Sequence, residues 1–481
     1  MATDLYTDLE QAIPAVREEF ETLLHDLVEI PTVSMDPAHA ADIRRGAHRA
    51  AAILQACGAT AEIVETPGNP VVFGQWLVNP AYPTVAIYNH LDVQPANEPQ
   101  WQQDPFIFQR DGERYLGRGT TDDKGPALTA LLAARFAVQH GVPLNVQCIW
   151  ELEEEIGSPN FAHFVQQRRP ALTCNSVLIS DTVWLSRTTP AVPYGLRGMI
   201  AMLLRLETGS RDCHSGLTGG AARNPVGELS DLIAHCYDAR TGRVHIPGFY
   251  DDVRPLSAAE LESFLASGFD LPTFMEVHGL HTLRSQDVRQ VVQAIWSQPT
   301  FEVHGISGGY QGPGVKTIVP HAAEAKISMR LVPDQDPERL FTVVREFMRQ
   351  YNPAVEVQRE GFLRPYLGDF SGFYGAAVRD AVRFGFGKTP SFIREGGSIG
   401  AVVTLDEMLH VPIVFLGLSL PEHGYHAPNE HFDWGQASGG MRAFVKYFDT
   451  LASTDSRASA ALSQSTEGAG KGNDHAHEPL V

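Results

Sequence analysis

Residues 84–95 read TVAIYNHLDVQP, a β-type run, TVAIY, followed by a polar turn that carries His90 and Asp92. β-Branched and aromatic side chains bounded by turn residues predict a strand. Two further runs share the form. NVQCIW (145–150) is followed by ELEEE, which carries Glu153, Glu154 and Glu155, and SVLIS (176–180) is followed by Asp181. A helix-like stretch from Pro126 to His140 separates the first two. Strands alternating with helices predict an α/β domain built on a largely parallel sheet. In such sheets, sites form at the carboxyl ends of the strands. The polar residues after each run are therefore read as one set.

Working outward, Phe20, Leu23, Leu24, Leu27 and Val28 fall at i, i+3, i+4, i+7 and i+8, which predicts an amphipathic helix ending before Pro31. A second helix is expected over 38–56, closed by Gly58. After Asp181 the pattern changes. TTPAVPYGLRG (188–198) leads into the strand-like MIAMLLRLE (199–207), then a helix from Pro225 to Tyr237. ISMRLV (327–332) and VEVQRE (355–360) read as strands around a helix at PERLFTVVREFMRQY (337–351). These predict a smaller α+β sandwich inserted into the first domain, which resumes near Phe370 through AAVRDAVRFGF and VPIVFLGL (411–418). The expected division is 1–190 with 365–452 for the α/β domain, 191–364 for the insertion, and a disordered Ser/Ala/Gly-rich tail over 453–481.

The chain has 481 residues, with 37 Lys and Arg against 57 Asp and Glu, a formal charge of −20. That excess argues against nucleic-acid or anionic-membrane partners. Five scattered cysteines without a CxxC predict a reducing compartment and no disulfides. The acidic N-terminus lacks a secretory pattern, and no apolar run approaches the roughly 18 residues of a membrane helix. A cytoplasmic protein is expected.

Two more segments join the set of polar strand ends. YLGRGTTDDKG (115–125) places Asp122 and Asp123 in a glycine-flanked turn, and PEHGYHAPNEH (421–431) carries His423, His426 and His431 after VPIVFLGL. Singly, a histidine at a strand end reads as a hydrogen-bonded structural residue, and a run of glutamates as a solvated helix start. Together they supply the mixed nitrogen and oxygen donors of a two-metal hydrolytic centre, with no thiolate among them. GFGKTP (385–390) is no phosphate loop, because Val382 stands where the first glycine is required. DHAHE (474–478) reads as a solvated part of the tail, and no G-x-S-x-G elbow offers a covalent nucleophile.

Five motifs then occur in order: H-x-D at His90 and Asp92, G-R-G-x-x-D-x-K-G at 117–125, E-E at Glu154 and Glu155, S-D at Asp181, and H-x-x-N-E at 426–430. From about residue 15 to 450 the chain thereby resembles the dinuclear zinc metallopeptidases of the carnosine dipeptidase, cytosolic nonspecific dipeptidase, aminoacylase, succinyl-diaminopimelate desuccinylase and acetylornithine deacetylase type. The resemblance implies a mainly parallel-sheet catalytic domain interrupted by a lid and dimerisation domain. It implies that Asp122 bridges two divalent metals about 3.5 Å apart. His90 and Asp181 complete one, and Glu155 and His426 the other. Zinc is implied; manganese and cobalt suit the same donors.

By the same resemblance, a bridging hydroxide attacks the peptide carbonyl with Glu154 as general base, and Asp92 orients the ligands. His214, in CHSGLTGG (213–220), reaches across a homodimer to polarise that carbonyl. Arg330, Thr317, Gly397 and Ser398 grip the substrate's free carboxylate. Two stretches, 244–260 and 296–314, look like the long lid of the cytosolic dipeptidases, which favours dipeptides as substrates. Asn89 departs from the family pattern where glycine is usual, as does Leu152 where a small residue is usual. Two rival readings are an N-acyl-amino-acid deacylase on the same centre and a non-catalytic metal- or peptide-binding homologue.

Overall fold

A computed structural model describes residues 4–453. The tail beyond Ser453, including DHAHE, lies outside the described residues.

The Thr84–His90 strand is buried along its whole length and pairs in parallel with Asn145–Glu151 on one side and Ser176–Ile179 on the other. Near-continuous apolar runs are what strands covered on both faces require. Ile413–Phe415 adds a fourth parallel strand beside Ser176–Ile179. Val71–Trp76 and Thr60–Val64 extend the other edge in antiparallel orientation, giving a six-stranded mixed sheet. Its four parallel strands deliver their carboxyl ends to one edge.

The Gly125–Gln139 helix crosses between the first two parallel strands and is buried on nearly every face, as a helix without a polar side must be. It packs against the Trp434–Ser453 and Leu5–Val28 helices. Leu5–Val28 is longer than the apolar stripe predicts and contains Pro14. Leu9 and Ile13 extend the buried face of Phe20, Leu24 and Leu27 past that proline. An interior proline costs about 3 kcal/mol, which burial of this face offsets. The Trp434–Ser453 helix also approaches Phe373–Phe386 closely: a Cβ at Gly439 would stand 2.3 Å from the Phe386 ring.

The insertion carries a four-stranded antiparallel sheet in the order Glu302–Gly308, Ala322–Leu331, Gly198–Glu207, Glu356–Leu363. Ile200, Met202, Leu204, Ile327 and Met329 form a second hydrophobic cluster with the Pro225–Cys236 and Pro337–Tyr351 helices. Part of the insertion departs from this plan. Phe264, Val292 and Trp296 join the first cluster, because the Ala258–Leu265 and Val288–Trp296 helices pack on the Ser391–Glu395 strand. An amphipathic stripe states that a helix buries one face; it does not state against which core.

Ala191–Leu196, where the chain enters the insertion, pairs with Tyr366–Leu367, where it leaves, and with Ser391–Glu395. All five cysteines are free. Among the described residues no helix is long and apolar enough to cross a membrane.

Candidate metal centre

The strand ends converge as their positions in the sheet require. His90 is the last residue of its strand, Asp181 follows Ser176–Ile179 by two residues, and Glu154 and Glu155 open a short helix three residues after Asn145–Glu151. Asp122 enters from the turn before the Gly125–Gln139 helix, and His426 from the loop after Ile413–Phe415. His426 and Asn429 both adopt positive φ, so this loop folds back sharply onto the centre.

Two donor groups result, sharing Asp122: His90, Asp122 and Asp181, and Asp122, Glu155 and His426, with one donor atom from each residue within 4.8 Å of the others in its group. Asp122 offers a different oxygen to each. Oδ1 lies 2.9 Å from His90 Nε2, and Oδ2 lies 2.9 Å from His426 Nε2. His90 Nε2 is also 3.6 Å from Asp181 Oδ2, and His426 Nε2 is 3.2 Å from Glu155 Oε2.

The charge balance fits a pair of dications. Two imidazoles face Asp122, Asp123 and Asp181, which are buried, and Glu154 and Glu155, which are half-buried. Burial pushes the Glu154 carboxyl well above the usual range; His90 opposes this, while Asp181 and Glu155 add to it. Burial and Asp181 likewise raise Asp123. Asp123 Oδ1 is buried without a hydrogen-bond partner, and Asp122 Oδ2 has only the His426 imidazole, 2.9 Å away, facing it. Uncompensated buried carboxylates of this kind are costly unless a cation joins them. Two histidines, one shared carboxylate and two further carboxylates are hard or borderline donors suited to zinc, manganese or cobalt.

Surrounding groups fix the donors. Asp92, fully buried, accepts hydrogen bonds from Glu154 N at 3.1 Å and Glu155 N at 3.0 Å, and its carboxylate lies 3.5 Å from His90 Nδ1. It thus ties the turn carrying both glutamates to the histidine strand. Gln94 donates to Glu155 at 2.7 Å, and the Tyr425 hydroxyl donates to Asp181. Asn89, the unusual residue before His90, donates to Asp123 at 2.6 Å and to Ser180, so its amide supports the turn instead of narrowing the pocket.

Sequence reasoning passed over Glu430, the last residue of the H-x-x-N-E motif. It is fully buried and accepts from Thr121 N at 2.9 Å and Asp122 N at 3.1 Å with one oxygen, and from Gly119 N and Arg118 Nη1, both at 2.9 Å, with the other. The His426 loop thereby clamps the turn that presents Asp122.

Beside the donors opens a cavity of about 1110 Å³, lined by Tyr425, Glu395, Gly397, Arg197 and Arg330 among others. Arg330 Nη1 donates to Ser398 Oγ at 2.8 Å, and Ser398 donates in turn to the Arg197 carbonyl. Arg330 has no ion pair among the described residues, which leaves most of its donors for an anion. Glu395 was missed in the sequence because its segment, REGGSIG, was read for its glycines and serine. Its Oε2 is buried and unpartnered, and burial with nearby Asp181 pushes its pKa up to about 8.

The remaining predicted residues gather elsewhere. His214 and Thr317 lie together on an exposed two-stranded ribbon, where Cys213–His214 pairs with Ile318–Val319 and Ser215 N donates to the Thr317 carbonyl at 3.0 Å. Neither lines the cavity.

Residues 86–450 match the model of peptidase family M20/M25/M40. The chain belongs to that family. This M20 chain is 30% identical over 467 residues to the Cys-Gly metallodipeptidase dug1 of Schizosaccharomyces pombe, covering 92% of this chain and 98% of the relative. It is 29% identical to the human Beta-Ala-His dipeptidase, covering 93% and 92% of the two chains. The crystal structure of human carnosine dipeptidase 1 superposes with a TM-score of 0.84 at 28% identity, over 94% of this chain and all of that one. The M20 family metallo-carboxypeptidase Sso-CP2 from Sulfolobus solfataricus gives the same TM-score at 29% identity, over 90% and 99%.

Proposed function

We propose that this M20 chain hydrolyses the peptide bond of unblocked dipeptides with a free C-terminal carboxylate. The observation that carries the reading is the pairing, in one cavity, of Glu395, one of whose carboxylate oxygens is buried without a partner, with Arg330, an arginine free of ion pairs among the described residues. A dipeptide presents an ammonium and a carboxylate, which these two groups complement. An N-acylated substrate offers Glu395 no ammonium and so forgoes the charge pairing that a free amine gains there, which disfavours the deacylase alternative. Relatives named as Cys-Gly and Beta-Ala-His dipeptidases support the same choice.

In this reading His90, Asp122 and Asp181 hold one divalent ion and Asp122, Glu155 and His426 the other, zinc being the proposed metal. Such ions, when bound, polarise the carbonyl and acidify water. Glu154, beside the donors, accepts the proton of the attacking water and returns it to the leaving nitrogen. Asp92 holds the Glu154 turn through its two backbone bonds. Arg330 offers its planar fork to the carboxylate, backed by Ser398 and by the peptide at Gly397.

His214 and Thr317, exposed and off the cavity, are proposed to complete the site of a second copy in a homodimer. Residues 1–190 and 365–452 form the catalytic domain in this proposal, and 191–364 the lid and dimerisation domain, anchored to the catalytic core by its 258–296 helices. The five free cysteines suit a cytosolic location.

The test is release of free amino acids from a panel of dipeptides by metal-stripped protein, with and without added zinc or manganese, alongside the N-acetylated forms. Metal-dependent cleavage confined to free-amine substrates is expected. Faster cleavage of the acetylated forms would establish the deacylase instead. Glu154→Gln should keep both metals and lose turnover by about 10²-fold or more; retained turnover removes Glu154 from the proton path.

A further inference from the structure

The cavity is larger than a pair of unsubstituted residues requires, since drug-sized ligands fill roughly 300–1,000 Å³ and this one has about 1110 Å³. Its extra wall comes from Gly268–His278 and the end of the Val288–Trp296 helix. None of the residues 244–260, expected to belong to the lid, lines it; of 296–314, only Trp296, Thr300 and Glu302 do.

That wall is aromatic. The Phe269 ring centre lies 5.2 Å from Phe274 and 5.7 Å from Trp296, and Phe274 lies 4.7 Å from the His278 ring. Of its polar members, Asp270 and Arg284 are already engaged. Asp270 accepts from Thr273 N at 2.9 Å as the cap of the Leu271–Val277 helix, and Arg284 lies 3.4 Å from Glu302. Apart from the exposed His278 imidazole, the surface left for a ligand on this wall is therefore mainly apolar.

The wall is also joined to the carboxylate grip. Trp296 follows Ile295, whose carbonyl accepts from Arg197, and Arg197 contributes the carbonyl that anchors Ser398. Four residues on, Thr300 N donates to the Arg330 carbonyl at 3.0 Å while Thr300 Oγ1 accepts from Arg330 N at 3.2 Å. The side chain nearest a carboxylate held by Arg330 is that of the C-terminal residue.

Resting on the dipeptidase reading, we infer that Phe269, Phe274 and Trp296 form a side-chain pocket that selects dipeptides with a large apolar or aromatic C-terminal residue. A C-terminal glycine leaves this wall without a partner. Apolar side-chain contacts in such pockets discriminate by roughly 10- to 200-fold.

The experiment compares kcat/KM for Ala-Gly, Ala-Leu and Ala-Phe in the metal-loaded full chain and in its Phe274→Ala and Phe274→Leu variants. Because ratios are taken within each protein, a reduced folded fraction cancels. The unsubstituted chain should favour Ala-Phe over Ala-Gly by about tenfold or more, chiefly through KM. Phe274→Ala should bring that ratio close to one, and Phe274→Leu should restore most of it. Ala-Gly cleaved as fast as Ala-Phe, or a ratio unchanged by Phe274→Ala, overturns the pocket while leaving the dipeptidase reading intact. No cleavage of any of the three overturns both.

Discussion

Replacing Glu430 with glutamine tests how Asp122, the aspartate shared by the two donor groups, is held. The carboxylate serves four donors: Arg118, Gly119 N, Thr121 N and Asp122 N, all at 2.9–3.1 Å. Glutamine preserves the shape but turns one oxygen into an amino group, so one pair of donors faces another donor. It also leaves the Arg118 guanidinium, 1% exposed, without its counter-ion. Breaking a buried pair from one side costs about 3–5 kcal/mol. Burial raises the Glu430 pKa, with Arg118 lowering it and nearby Asp122 raising it. Removing one negative charge from this crowd returns part of the cost, so the lower end, about 3 kcal/mol, is expected. Urea unfolding of the metal-free protein measures that loss, and titration with zinc should register weaker binding as the Asp122 turn loosens. A loss below about 1 kcal/mol together with unchanged zinc affinity would refute the clamp.

Burial pushes His431 down to about 4 from an ordinary 6.5, with His423 adding to the effect. Between those values the unfolded chain binds a proton that the folded chain refuses, so stability falls as pH drops through this window. Urea midpoints at pH 7 and pH 5 should differ less for His431→Gln than for the unsubstituted chain; equal differences would exclude His431 as a contributor. Arg330→Lys should raise KM for dipeptides by about 10- to 100-fold with kcat less affected, because a point charge replaces a planar fork. An unchanged KM in steady-state assays would take Arg330 out of carboxylate binding.

How much of this was legible in the sequence depends on how local the signal is. His90, Asp181 and Glu155 stand directly after short apolar runs, so strand and donor are read in one window, and Asp122 lies in a glycine-bounded turn. The role of Glu430 is carried by bonds to residues about 310 positions away, which no window contains. Glu395 sits in a recognisable motif, but only the cavity reveals that one of its carboxylate oxygens lacks a partner. The helices at 258–265 and 288–296 illustrate the same boundary, since their stripes left undecided which of two cores they cover. His214 and Thr317 follow only from the resemblance, and they lie on an exposed ribbon off the cavity, where His214 Nδ1 accepts from Gly216 N at 2.9 Å.

The paired strands at the neck of the insertion have a mechanical consequence. Ala191–Leu196 and Tyr366–Leu367 run side by side in one small sheet with Ser391–Glu395, so the insertion is attached like a leaf on a spine, not a bead on a string. Swivelling would shear the hydrogen bonds that join the two connectors, whereas bending across them keeps those bonds whole. Arg330 lies on the leaf and Ser398 on the binding, and the 2.8 Å hydrogen bond between them joins the two. The contact between Arg330 and Ser398 therefore depends on a single angle, set where the chain leaves one domain and returns to it.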